Sequence, residues 1–213
     1  MPTLAISPRA LVAVALLTCV AACGRTDNAA IDTSSSAVAN DMQPAPAVQP
    51  ASVTDQADPA IADFNDSNIL AKLESGDGKE VALSKEFASK ATDPALRDYM
   101  KMLLADHSKA KSDIESLAKK ENVEATPPPG DTSTKELADL KSRFASLKKG
   151  TDFDTAFVSY AIEDHVKDIA DSRAMQAQAT NENLKSEIGK DLPVLQKHLD
   201  KARELAGKLG VSR

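Results

Sequence analysis

The sequence predicts an all-α protein: a four-helix bundle with a short crossover helix, preceded by a lipoprotein-type signal and a disordered tether. Three observations carry this reading. Apolar residues recur at spacings of three, four and seven, with no alternating Val/Ile runs of the kind a strand needs. Aromatic residues make up 3% of the chain and Trp is absent, so the core must come from aliphatic seams on helices. Both cysteines, Cys19 and Cys23, fall within the first 23 residues, so the body has no disulfide framework, zinc ribbon or CxxC redox pair and must be held by packing. The 213 residues suffice for one domain plus tails. Formal net charge is −6, and residues 1–22, whose only charge is Arg9, make the remainder one unit more acidic still. So acidic a chain argues against nucleic acid as a partner.

Residues 1–22 have a short basic start at Arg9 and an apolar stretch from Ala10 to Val20, too short to span a bilayer, and read as a secretion signal. Val20-Ala21-Ala22-Cys23 resembles the bacterial lipobox, in which small residues precede a cysteine that receives a diacylglyceryl group. Cys23 is therefore the expected lipidation site, and Cys19, preceded by Leu17-Thr18, is the poorer candidate. Gly24 rather than Asp follows the cysteine, which resembles sorting to the outer membrane. Residues 23–60 are rich in Ala, Ser, Pro, Asp, Asn and Gln, with four prolines between Gln43 and Pro59 and no apolar period. Such a segment cannot bury enough surface to offset its ordering entropy, and it reads as a tether reaching roughly 30 to 35 Å.

Residues 61–213 then carry the bundle. A first helix is expected from about Asp63 or Ser67 to Ala91, where Leu73, Glu80 and Phe87 lie a heptad apart, so a carboxylate sits in the apolar seam. Gly76 and Gly78 weaken its middle or admit a bulge or close approach. Thr92-Asp93-Pro94 closes this helix and opens the next, with Asp93 as N-cap and Pro94 in the first turn. The second seam reads Leu96, Met100, Leu103, His107, Ala110, Ile114, Leu117, in which only His107 is polar. Thr126-Pro127-Pro128-Pro129-Gly130 breaks the chain. A shorter amphipathic helix from Ser133 to Lys149 reads as the crossover. A third long helix, from about Asp152 to Ala179, places Val158, Ile162, His165, Ile169 and Ser172 on one face. Ala179-Thr180-Asn181 echoes Ala91-Thr92-Asp93, as a degenerate duplication of a helical hairpin would. The last helix carries Ile188, Leu192, Leu195, Leu199, Ala202 and Leu209, with His198 on the flank of the seam and Pro193 expected to kink it or restart it near Asp191.

All three histidines of the chain thus lie in or beside apolar seams. Counting 1.5 Å per residue from the turns, Glu80 and His107 reach one height and His165 and His198 another, so one carboxylate and three imidazoles can meet in mid-bundle. Glu80, His107, His165 and His198 are candidate ligands for zinc, copper or iron, with Asp106, Asp154 and Asp164 as supporting acids. The same groups can instead satisfy one another by hydrogen bonding, without metal. The Glu-x-x-His of di-iron bundles is absent, because Leu104 and Ile162 stand three residues before His107 and His165. There is no phosphate loop, HExxH or nucleophile elbow.

Glu80-Val81, Asp93-Pro94, Asp106-His107, Gly150 with Phe153-Asp154, His165, and Leu192-Pro193 with His198-Leu199 together resemble a bacterial family of exported domains of unknown function. Its members are often labelled predicted outer membrane proteins and assigned a ferritin-like fold. The resemblance spans roughly Asp63 to Gly210 and implies a ferritin-like bundle beyond the inner membrane, with no activity attached. Two functions follow as expectations. The favoured one is a non-catalytic, lipid-anchored periplasmic domain with a structural, stress-related or binding role, facing the periplasm from the outer membrane. The alternative is a metal-binding protein or metalloenzyme built on the Glu/His cluster.

Overall fold

The computed structural model describes residues 56–211, which form α1 (Asp66–Phe87), α2 (Pro94–Glu121), α3 (Ser133–Ser146), α4 (Thr151–Gln178) and α5 (Glu182–Leu209), with no strand among the described residues. The signal at 1–22, the Cys23 site and nearly all of the 23–60 tether lie outside the described residues. A 3-10 turn at Pro59–Asp63 precedes α1. The Asp58 N–H donates to Asp171 Oδ1 at 2.8 Å and Ile61 is buried, so fixed contacts begin a few residues before Ile61.

The helix boundaries follow from local chemistry. Asp93 accepts from the N–H groups of Ala95 and Leu96 with Pro94 in the first turn, and Asn181 does the same for Asn183 and Leu184 at the start of α5. Two left-handed residues end the helices, Asn122 at φ 53° after α2 and Gly210 at φ 69° after α5. α1 runs unbroken through Gly76 and Gly78, and neither is pressed against a neighbouring backbone, so the expected bulge or close approach does not form. Pro193 likewise sits inside an uninterrupted α5, with no restart at Asp191. The Gly189 carbonyl loses its helical donor there, but Pro193 lies on the exposed side, where water can take its place.

α1 with α2 and α4 with α5 make two hairpins, and α2 packs directly on α5. The sequence echo at the two turns has a structural counterpart. Asp154, near the start of α4, accepts from Thr92 N–H at 3.0 Å, Thr92 Oγ1 at 2.6 Å and Asp93 N–H at 3.0 Å. Asp66, at the start of α1, accepts from Thr180 N–H at 2.8 Å, Thr180 Oγ1 at 2.6 Å and Asn181 N–H at 3.0 Å. Each hairpin thus begins by holding the turn of the other, as a pseudo-twofold arrangement requires. α3 closes one side, burying Phe144 against Phe87, Phe153, Phe157 and Tyr160, while Lys90 Nζ donates to the carbonyls of Phe144, Ala145 and Leu147 at the α3 C-terminus.

Along the bundle the core is layered. One end is apolar around Leu83, Phe87, Leu96, Met100, Leu103, Phe153 and Phe157, and the other around Ile61, Ile69, Leu70, Ile114, Met175, Leu184 and Ile188. Between them lies a buried polar layer containing Glu80, His107, His165 and His198. Hydrophobic side chains of similar volume would stabilise the fold at least as well, so this layer is where function should be sought.

Candidate metal centre

The seams of α2, α4 and α5 bring His107, His165 and His198 together. Their ring centroids are 5.8 Å (107–165), 5.1 Å (107–198) and 5.3 Å (165–198) apart. One ring nitrogen from each lies within 4.8 Å of the other two. His165 and His198 are fully buried and His107 is 4% exposed.

Each imidazole has its second nitrogen committed to an oxygen. His165 Nδ1 lies 2.8 Å from the Ala161 carbonyl, which only accepts, so Nδ1 carries the proton and Nε2 a lone pair. His198 Nε2 lies 2.9 Å from Asp106 Oδ2, leaving the lone pair on Nδ1. His107 Nδ1 lies 2.8 Å from Asp77 Oδ1, leaving Nε2 bare, and that buried atom has no hydrogen-bond partner. His165 Nε2 and His198 Nδ1 stand 3.3 Å apart with no proton between them in these neutral tautomers. Two nitrogens bound at 2.0–2.1 Å to one tetrahedral ion are separated by about 3.3 to 3.4 Å. An oxygen on the outer nitrogen of each ring is the usual way a protein fixes tautomer and raises basicity in metal-binding histidines. The trio could therefore hold a zinc, copper or iron ion, with the His165 and His198 nitrogens already at the spacing one ion needs and His107 giving up a proton to join them.

Protonation states favour this at two of the three rings. Burial pushes His165 down to about 3 and His198 down to about 4, so both are neutral at pH 7. Burial also opposes a charge on His107, but the hydrogen bond to Asp77 and the surrounding negative charge more than offset it and raise its pKa. His107 is thus where a proton would compete with a cation.

Beside the trio lies an acidic network on α1 and α4. Tyr160 Oη is 2.6 Å from Glu80 Oε1 and 3.1 Å from Asp164 Oδ2, and Lys79 Nζ donates to Asp164 at 2.5 Å. One phenolic proton can serve only one of two carboxylates, so the second contact needs a carboxyl proton. Glu80 supplies it: burial and the adjacent Asp164 push Glu80 up to about 8. Asp164, although buried, is held well below the usual range by Lys79. Burial and Asp164 raise Asp168 to about 6.

The sequence-predicted residues therefore separate. His107, His165 and His198 converge as expected, and Asp106 does support the set, through His198. Glu80 is buried in the same layer but bonded to Tyr160 and not among the converging ligand atoms. Asp164 serves the Lys79–Tyr160 network and not a histidine ring. Asp154 is not beside the histidines: its carboxylate caps the α1–α2 turn, and eleven residues of α4 place it roughly 16 Å from His165 along the axis. Asp77, Lys79, Tyr160 and Asp168 were not foreseen. A signal for two of them existed in the repeat. Counted from Asp66 and Asp154, Asp77 matches His165 and Glu80 matches Asp168.

These features define a class: an all-α bundle domain with a histidine trio in a polar mid-layer. The chain matches the family described as Domain of unknown function (DUF4142) over residues 50–205, and it belongs to that family. No curated protein and no solved structure matches it.

Proposed function

We propose that this chain is an exported, lipid-anchored, ferritin-like domain of the cell envelope that binds one transition-metal ion, zinc, copper or iron, between His107, His165 and His198. The observation that carries the metal reading is the convergence of one ring nitrogen from each of three buried histidines, each of which also has a ring nitrogen held by an oxygen. The two hairpins joined through a crossover helix support the ferritin-like assignment. Val20-Ala21-Ala22-Cys23 and the Pro- and Ser-rich run after it support export, acylation at Cys23 and tethering to the outer membrane on its periplasmic side. No helix among the described residues is long and apolar enough to cross a membrane. The role is binding rather than turnover: the trio is buried, and the Glu-x-x-His of di-iron oxidases is missing. Elemental analysis of the full chain purified from its native compartment tests the reading. One equivalent of metal, lost in His165→Ala, supports it, whereas a metal-free protein that also takes up none on addition of zinc or copper overturns it. Cys23→Ser should leave an unprocessed or mislocalised precursor, and an unacylated mature chain would remove the anchor from the proposal.

A further inference from the structure

A buried metal centre needs a way in, and the molecule offers one. A cavity of ≈ 300 Å³ between α2 and α5 has His107 and His198 in its wall. Its charged lining comprises five carboxylates, Asp77, Asp106, Asp113, Glu187 and Asp191, against three lysines. The lysines are each taken up by an acid: Lys109 by Asp113, Lys190 by Glu187 and Lys197 by Asp106. Asp77 holds His107. Asp191 alone of the five has neither a hydrogen bond nor an ion pair among the described residues, and it is half-buried. It stands on the same face of α5 as His198, seven residues and about 10 Å nearer the helix start. Burial and the like charges of Asp77, Glu187 and Asp113 push it up to about 6, as expected of a carboxylate that lacks a counter-cation. The cavity wall includes His107, whose Nε2 is buried and unpartnered.

Resting on the metal reading above, we infer that this cavity is the route by which a divalent cation reaches the histidine trio, with Asp191 as its outer capture point. The surplus of negative charge on low-dielectric walls attracts the hydrated cation, Asp191 offers a first oxygen ligand, and Asp77 and Asp106 line the remaining path to the imidazoles. Anionic ligands are disfavoured in the same channel.

The test is stopped-flow loading of the metal-free full chain with cobalt(II), read by its visible absorption, at pH 7.5 and low ionic strength. Asp191→Asn keeps the shape and relieves like-charge repulsion, so it should fold. It should load about fivefold more slowly than wild type, reach the same one equivalent, and show a weaker salt dependence. Asp200→Asn, off the cavity on α5, should load at the wild-type rate. Equal rates and salt dependence for Asp191→Asn and wild type overturn the route while leaving the metal centre standing. Equal slowing in both variants overturns it as well, because net charge would then be the cause. A wild type that binds no cobalt overturns the centre and the route together.

Discussion

At the residue scale, the three histidines were legible because a lone polar side chain on an apolar seam stands out against its period. Two of the partners were not, because Asp77 and Tyr160 meet His107 and Glu80 only through the register of one helix against another, which no single-helix pattern encodes. Two predictions belong here. Asp77→Ala removes the acceptor of His107 Nδ1–H and, if the trio binds metal, should weaken zinc affinity 10- to 100-fold in a competition titration. Undiminished affinity would show that Asp77 has no part in orienting the ring. The second concerns pH in the metal-free protein. Glu80 is raised from 4.5 to about 8, so the stability it contributes is fully present below pH 4.5 and is lost as pH rises through about 8. His165 and His198 are lowered from 6.5 to about 3 and about 4, so theirs is present above pH 6.5 and lost as pH falls through those values. Glu80→Gln should therefore gain on wild type by on the order of 2 to 4 kcal/mol between pH 5 and pH 8 in urea melts. Parallel pH profiles for the two proteins would mean that Glu80 is ionised in the native state.

At the element scale, helix type and the principal caps follow from local chemistry, and Asp93-Pro94 shows why: an N-cap and a fixed φ act within one turn and need no tertiary information. Asp154 shows the limit. It was expected among the acids supporting the Glu/His cluster, yet its carboxylate faces the opposite hairpin's turn, and only the mutual placement of the hairpins reveals that. The glycines of α1 and Pro193 of α5 show the converse, since tertiary packing carried both helices through residues whose propensities oppose them. The paired caps make an asymmetric prediction. Asp154 is 2% exposed whereas Asp66 is half-buried, so removing Asp154 strands donors away from water. Asp154→Ala should cost about 3 kcal/mol or more and Asp66→Ala about 1 to 2, measured as the loss in denaturant stability. Equal costs would show that burial does not set the strength of these caps.

At the scale of the whole molecule, the polar layer divides two apolar ends that would otherwise form one core, so the stability of the metal-free bundle is coupled to what occupies the layer. A ligand that binds only the folded state stabilises it by mass action, about 2.7 kcal/mol at a hundredfold excess over Kd, which for a domain of this size moves Tm by several degrees. Zinc or copper should therefore raise the Tm of the wild type and leave His107→Ala, His165→Ala and His198→Ala unmoved. Glu80→Gln should keep the full response, because Glu80 lies in the layer without belonging to the converging nitrogens. Without metal, His165→Ala and His198→Ala should be less destabilising together than their separate costs imply, since the facing nitrogens 3.3 Å apart share one environment. A bundle whose Tm ignores both metals, with additive histidine variants, would reduce the layer to three independent buried side chains. A metal response retained in His107→Ala but lost in the other two would instead place the ion between α4 and α5 alone.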